Sequence, residues 1–500
     1  MGGGNDVLPT TQLIDKMDIK KIWLQAFLAA FIMLADSQFA SAETVNIGGI
    51  NYNLNNSDMT AEVAENYEAS GSIVLPATLS HEGRTYTLTA IGYDAFDYCE
   101  GLTAITLPEG LATIGGSAFY GCESLAAITI PASVTSIGRE AFAACTGLAS
   151  MTVAAGNKVY DSRGGCNAII ETATGTLAFG CKTSRVPHGV TAIGDEAFYK
   201  CSTLAAVTLP QGVTSIGEYA FYKCSALASI NLPEGLVSIG ESAFHRCGKL
   251  TALALPASLA TIGEDAFYDC SGLGSISVAA GNKVYDSRNG CNAVIETATG
   301  TLVLGCKTTV VPGGVTAIGD NAFAECGITS VDLPASVTTI GMFAFSECMG
   351  LTSVTLPEGM ATVGMSAFWG CANIATLSLP STLETVADDA FGSCSSLKDV
   401  YCYGTAKKTA GPNAFSSIAP GAVLHVHGSL LEAYRADTRW ADSFAGIVAL
   451  PGTETGISQV DAAAPGTCRI YTIDGKPLSA PQRGISIMRT AGGKSIKVAR

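Results

Sequence analysis

From Leu102 onward the chain repeats one order of apolar and polar positions. Its first regular copy runs Leu102-Thr-Ala-Ile105-Thr-Leu107-Pro108, continues through Leu111, Ile114 and Gly115, and closes on Ala118-Phe119-x-x-Cys122. Ile105 and Leu107 alternate as one face of a short strand, which Pro108 ends by removing a ladder donor. Leu111 and Ile114 predict a second short extended stretch, and Gly115 a tight or left-handed corner. Ala118, Phe119 and Cys122 are expected to pack inward from a short helical turn. The AFxxC signature recurs at Cys99, Cys122, Cys145, Cys201, Cys224, Cys247, Cys270, Cys326, Cys348, Cys371 and Cys394, with a degenerate copy at Ala414-Phe415. Spacing is 23 residues except for two gaps of 56 and one of 22. The short gap falls at Cys326-Gly327-Ile328, in a turn, where a deletion leaves the apolar ladder in register. A fixed period in the twenties with apolar residues at fixed offsets marks a stacked-repeat solenoid. Parallel strands of successive rungs then lie about 4.8 Å apart, and equivalent phenylalanines, cysteines and isoleucines form columns. At Val386-Ala387 the corner glycine is lost, so that rung is expected to differ there.

The period is that of a leucine-rich-repeat solenoid, mostly β, with parallel short strands and short helical turns, capped at both ends and followed by a small C-terminal β module. Residues 43–92 alternate apolar and polar positions between turn residues and read as an N-terminal β cap. Residues 93–400 are the solenoid. Its two long gaps hold near-identical inserts, residues 154–189 and 279–314, offset by 125 residues and sharing AAGNKVYDSR. Within each, NAIIET…TLAFGC or NAVIET…TLVLGC flanks a Thr-Gly turn, a hairpin signal. Residues 401–450 (a strand, then a helix-like run with Leu431, Tyr434 and Trp440) read as a C-terminal cap. Residues 451–500 are a linker and a small module of strands around Asp474-Gly475-Lys476. At the other end, Lys20-Lys21, the apolar run Ile22 to Ala35 and the small residues Ala40-Ser41-Ala42 follow the plan of a secretory signal peptide within residues 1–42, with Met1 or Met17 as start. That run has 14 residues, short of the ~20 a spanning helix needs, so the mature chain is expected to be exported across the inner membrane without a transmembrane span.

Composition narrows the chemistry. With net charge −15 and only 14% charged residues, the chain lacks the clustered Lys/Arg face that nucleic acid requires. Seventeen cysteines include no CxxC pair, which argues against structural zinc; most fall on the inward repeat position, as small buried side chains do. Cys166–Cys181 and Cys291–Cys306, each centred on a hairpin turn of an exported protein, are the candidate disulfides. His425 and His427 alternate on one strand face without a third ligand and read as ordinary cap histidines. Glu218, Glu241, Glu264 and Asp320, after the corner glycine, read as a solvated stripe. No phosphate loop, dinucleotide fingerprint or GxSxG elbow occurs, and no metal, cofactor or catalytic group is expected. The outward strand positions Thr106, Thr129, Thr208, Asn231, Thr355 and Ser378 make a broad, shallow, repetitive face, suited to a protein or polymer partner.

The rung LxxIxLPxGVTxIGxxAFxxCxxL resembles the BspA-type leucine-rich-repeat family of bacterial surface proteins, and the YDSR…CNAIIET…TLxxGC insert resembles a variant within it. RIYTIDGKPL…RGISIMR…GKSIKVAR is similar to C-terminal sorting modules of the type IX secretion route. The resemblance implies a surface or secreted, non-enzymatic binding protein. It points to an adhesin for host matrix or cell-surface proteins, or for other bacteria. The alternatives are a glycan- or polymer-binding repeat module, an enzyme with its site in a cap, and a passive surface spacer.

Overall fold

The computed structural model describes residues 43–453 and, as backbone strands, residues 469–472, 477–478, 485–489 and 495–499. The signal peptide and the start codon lie outside the described residues, as does the turn Asp474-Gly475-Lys476. Two compact units are formed, one from the chain up to Leu227 with Ile239–Phe244, the other from Ala228–Ser238 with the chain from His245.

In the first unit, Glu43–Ile47, Ile50–Asn55 and Thr60–Val63 form an antiparallel meander. Thr60–Val63 then pairs parallel with Arg84–Ile91, and the ladder passes to Thr113–Ile114 and Ser136–Ile137. Gly71–Val74 pairs parallel with Leu102–Thr106. The opening segment therefore starts both strand rows of the solenoid, and it buries Tyr52, Leu54, Ala61 and Val63 against the first rung. Each rung supplies one longer strand, such as Ala127–Ile130, and one of two residues, such as Ser136–Ile137.

The AFxxC segment turns Ala, Phe and Cys inward, as the repeat implies, through linked turns holding two left-handed residues per rung. Ser117 (φ 52°) and Gly121 (φ 68°) occupy these places in one rung, Glu196 (φ 58°) and Lys200 (φ 56°) in another. A non-glycine residue there costs about 1 kcal/mol or more. It persists because its own N–H is used: Ser117 donates to Arg139 O at 2.9 Å and Glu196 to Glu218 O at 2.9 Å. The phenylalanine between them donates likewise, Phe119 to Ala141 O and Phe198 to Ala220 O. The rings stack at nearly the strand spacing: Phe96–Phe119 at 5.4 Å, Phe119–Phe142 at 5.6 Å, Phe198–Phe221 at 5.0 Å and Phe221–Phe244 at 5.1 Å.

The corner glycine is needed for a reason other than the expected one. Gly115 and Gly138 are absent from the left-handed residues; they lack room. A Cβ on Gly115 would lie 2.6 Å from Gly92 C and O, and one on Gly138 2.3 Å from Gly116 N. The rungs cross at this corner backbone against backbone. Where the glycine becomes Ala387, Thr385–Val386 still pairs with both Thr362–Val363 and Thr409–Ala410, so the ladder does not change there.

Each insert extends the stack as a hairpin. Ala168–Glu171 runs antiparallel to Tyr160–Asp161 and to Thr176–Gly180, and the latter pairs parallel with Ala192–Ile193. In the second unit Tyr285–Asp286, Val294–Glu296, Thr301–Leu304 and Ala317–Ile318 repeat the pattern. The 22-residue rung keeps register, Ile318 facing Ile340 and Val331 facing Val354. A second phenylalanine column runs Phe323, Phe345, Phe368, Phe391, Phe415 at 4.9 to 5.5 Å. Two short helices, Leu431–Arg435 and Thr438–Ala441, close this unit by setting the buried Tyr434 and Trp440 beside Phe415. The buried Lys408 donates its Nζ to Pro380 O at 2.7 Å and Leu383 O at 2.8 Å, satisfying carbonyls at the end of the stack. Residues 469–499 hold four antiparallel strands.

Candidate functional site

Because side chains alternate along a strand, the longer strands turn a central apolar residue inward and present its neighbours, with Ile230 only half-buried. Ile105, Ile128, Val207 and Val354 are buried, while Thr106, Thr129, Thr208, Asn231 and Thr355 are exposed and Ser378 is half-buried. The first three of these outward residues belong to the first unit and the others to the second. Register decides what stands beside each. Thr129 faces Thr152, their hydroxyls 2.9 Å apart. Thr355 faces Asp332, and Ser378 faces Tyr401. Each of these partners lies 23 residues away, so Thr152, Asp332 and Tyr401 could all have been found by counting one repeat along the chain.

Beyond Ser378 the outward row of the second unit becomes aromatic. Tyr401 faces His425 and His425 faces Val448. The Tyr401 and His425 rings stack at 4.4 Å, and His425 Nε2 lies 2.9 Å from Asp399 Oδ1. Tyr403 beside them is 43% exposed. His427 points elsewhere: its Nδ1 accepts from Ser429 N at 3.3 Å and lies 2.8 Å from Ser429 Oγ, capping a single 3-10 turn. The two histidines therefore do not converge, and among the described residues no group of three or more His, Cys, Asp or Glu is arranged to hold a metal.

The polar residues of the insert motif hold the insert to the rung before it. Asn157 donates to Pro131 O and Val134 O at 2.9 Å each, and its Oδ1 accepts from Val159 N and Tyr160 N. Tyr160 OH accepts from Ile137 N, and Ser162 Oγ from Val153 N. Arg163 forks onto Asp161 and holds its carboxyl below the ordinary carboxylate range. Asn282, Tyr285, Ser287, Asp286 and Arg288 repeat these bonds in the second copy.

The cysteines are hydrogen-bond donors as well as small core residues, which the sequence reading missed. Cys122, Cys145, Cys224, Cys348 and Cys371 each donate Sγ–H to the phenylalanine carbonyl of the preceding rung at 3.0 to 3.2 Å. Burial pushes the Cys145 and Cys201 thiols up to about 12. Instead of the two expected disulfides, Cys166, Cys181, Cys291 and Cys306 are free buried thiols. Each is turned to a local carbonyl: Cys166 to Ala168 O, Cys181 to Asn167 O, Cys291 to Ala293 O and Cys306 to Asn292 O. No helix among the described residues is long and apolar enough to cross a membrane.

The chain is similar to three solved structures, to differing degrees. A leucine rich cell surface protein from Faecalibacterium prausnitzii is 26% identical, with 82% of this chain and 95% of that one covered and a TM-score of 0.51. The pneumococcal vaccine antigen PcpA is 17% identical over 81% of this chain and 98% of that one, TM-score 0.44. A leucine-rich repeat protein from Bacteroides ovatus is 24% identical over 81% and 99%, TM-score 0.39. No curated protein matches the chain. The family model for the BspA type leucine rich repeat region matches in six copies, over residues 83–167, 180–292 and 316–422. With more than half of its length matched, and with stacked rungs, buried phenylalanine and cysteine columns and outward polar rows to the same repeat, the chain belongs to the BspA-type leucine-rich-repeat family.

Proposed function

We propose that the chain is a bacterial cell-surface binding protein, an adhesin that recognises host matrix or cell-surface proteins through the outward rows of its longer strands. The observation that carries this reading is the register. Exposed short polar side chains stand side by side on consecutive strands, Thr129 with Thr152 and Asp332 with Thr355, while the inward positions are filled by packing. A flat, repeated polar surface gains affinity by summing many weak contacts over a large area. Likeness to a cell-surface protein of the same fold supports the location. The test is saturable binding of the full chain to immobilised matrix proteins and to host cells. Thr129→Arg with Thr152→Arg, and separately Asp332→Arg with Thr355→Arg, should each weaken binding about tenfold, as loss of a 1.4 kcal/mol contact set does. Unchanged binding by both pairs refutes the strand face as the site, and no saturable binding of the full chain leaves a passive spacer.

A glycan reading is favoured by one place only, the aromatic end of the row with Tyr401, Tyr403 and His425. One exposed tyrosine, beside two half-buried stacked rings and a carboxylate, suits stacking against a sugar. A glycan array with a Tyr403→Ala control separates the two readings.

A further inference from the structure

We propose that the turn flank of the second unit, centred on Met342, Phe343, Met365 and Trp369, is a docking surface for a basic amphipathic polypeptide segment. This surface is distinct from the strand rows. In most rungs the residue after the corner position is charged: Arg139, Asp195, Glu218, Glu241, Glu264, Asp320 and Asp388. At two consecutive rungs it is methionine. Met342 is 44% exposed and Met365 41%, and Phe343 and Trp369 are each 37% exposed. Phe343 N donates to Met365 O and Glu347 N to Trp369 O, so the four side chains occupy neighbouring rungs. Within the same two rungs Phe345 and Phe368 are fully buried and stacked at 5.0 Å. Methionine and aromatic side chains contiguous on a surface fit an adaptable protein contact rather than a solvated stripe.

The border of the patch fixes the charge of the partner. Asp269, Glu325 and Glu347 fill the position before the rung cysteine in three consecutive rungs here, whereas Lys200, Lys223 and Arg246 fill it in the three rungs before them; Arg246 pairs with Asp269 at 3.5 Å. Glu325 N donates to Ser346 O, one rung from Glu347, and Asp269 and Glu325 lie close enough to share a hydrogen bond. Next to them, Glu264, Asp265, Glu296 and Asp320 line a hollow of about 420 Å³ with Tyr268 on its wall. At the corresponding place 125 residues earlier, Arg139 forms an ion pair with Glu196. In the second copy those two residues are Glu264 and Asn321. The chain's own guanidinium has thus been exchanged for a carboxylate, and the hollow suits a lysine or arginine side chain brought by the partner. Apolar residues along one face of the segment would cover the methionines, with basic residues along its border reaching the carboxylates.

The probe is a designed helical peptide with leucines on one face and lysines along both borders, titrated into the full chain by calorimetry and by tryptophan emission. Trp369 is read by difference against Trp369→Phe, since Trp440 is fully buried and Trp23 is common to both proteins. Expected are saturable 1:1 binding, a blue shift lost in Trp369→Phe, and affinity about tenfold weaker in Met342→Lys with Met365→Lys and in Glu325→Lys with Glu347→Lys. Exposed sites leave the melting temperature near that of the parent, which is checked alongside. Any of four results overturns the proposal. These are no binding, equal binding by an oligolysine without apolar residues, equal binding by the peptide with glutamates in place of lysines, and self-association of the chain that Met365→Lys abolishes.

Discussion

Phe345 and Phe343 stand two residues apart in MFAFSEC and should answer truncation very differently. Phe345 is fully buried between Phe323 (4.9 Å, 7°) and Phe368 (5.0 Å, 5°). Phe345→Ala removes the transfer free energy of a whole aromatic ring and leaves a cavity. Hydrogen bonds such as Phe323 N to Ala344 O and Phe345 N to Ala367 O hold the rungs on either side apart, so the space cannot collapse. Such truncations cost about 3–5 kcal/mol, and two lost ring contacts of about 0.5–1.5 kcal/mol each place this one at the upper end. Phe343, 37% exposed, keeps its backbone in either form, and Phe343→Ala should cost less than about 1 kcal/mol. Urea unfolding followed by the buried Trp440, with the stability change read from the midpoint shift at constant slope, measures both. A loss below about 1.5 kcal/mol for Phe345→Ala, or equal losses for the two variants, would refute the claim that stacked columns hold the rungs together.

Gly138→Ala should cost about 3 kcal/mol, because its Cβ would meet Gly116 backbone at 2.3 Å; Gly313→Ala, with nothing within 4 Å, should be neutral, and similar melting temperatures for the two would sink the crossing-backbone account. Thiols held near 12, as at Cys145 and Cys201, expose only about one thiolate in 10⁴ at pH 8. Iodoacetamide should therefore leave the rung cysteines of the native chain unlabelled while the urea-unfolded chain labels fully, as intact mass would record. The Asp269 carboxyl is raised to about 6 by burial first and by Glu325 second, against 3.8 ordinarily. The folded state then holds more protons than the unfolded state between those values, so stability from this group is present at low pH and lost as pH rises through 6. Asp269→Asn should raise the melting temperature at pH 7 and flatten its fall between pH 4 and 6; identical pH slopes in the two proteins would contradict the assignment.

Inside and outside positions were legible in the sequence because a rung is short and repeated, so its apolar offsets leave one arrangement that buries Leu102, Ile105, Leu111, Ile114, Phe119 and Cys122 together. The hairpin character of the inserts was equally local, carried by Thr-Gly turns between apolar runs. Three features were not legible. The corner glycine was read as a conformational need, yet Gly138 is excluded from being larger by Gly116 one rung away. The cysteine was read as a small apolar group, yet its thiol reaches the carbonyl of Phe119 or Phe96 in a neighbouring rung. The acidic stripe was read as solvent-facing at Glu218, Glu241, Glu264 and Asp320, and that Met342 and Met365 stay exposed at the same offset is decided by the fold.

Repetition in the chain determined that rungs stack, which side chains enter the core, and where hairpins and caps interrupt the stack, because those outcomes depend only on offsets within one copy. Tertiary structure decided what stands beside each residue where the period breaks: Tyr401 against His425, an arginine bridging one junction and a carboxylate-lined hollow at its duplicate. Those neighbours come from register between strands 23 or more residues apart, and a one-dimensional pattern carries the period but not the chemistry that the period brings into contact.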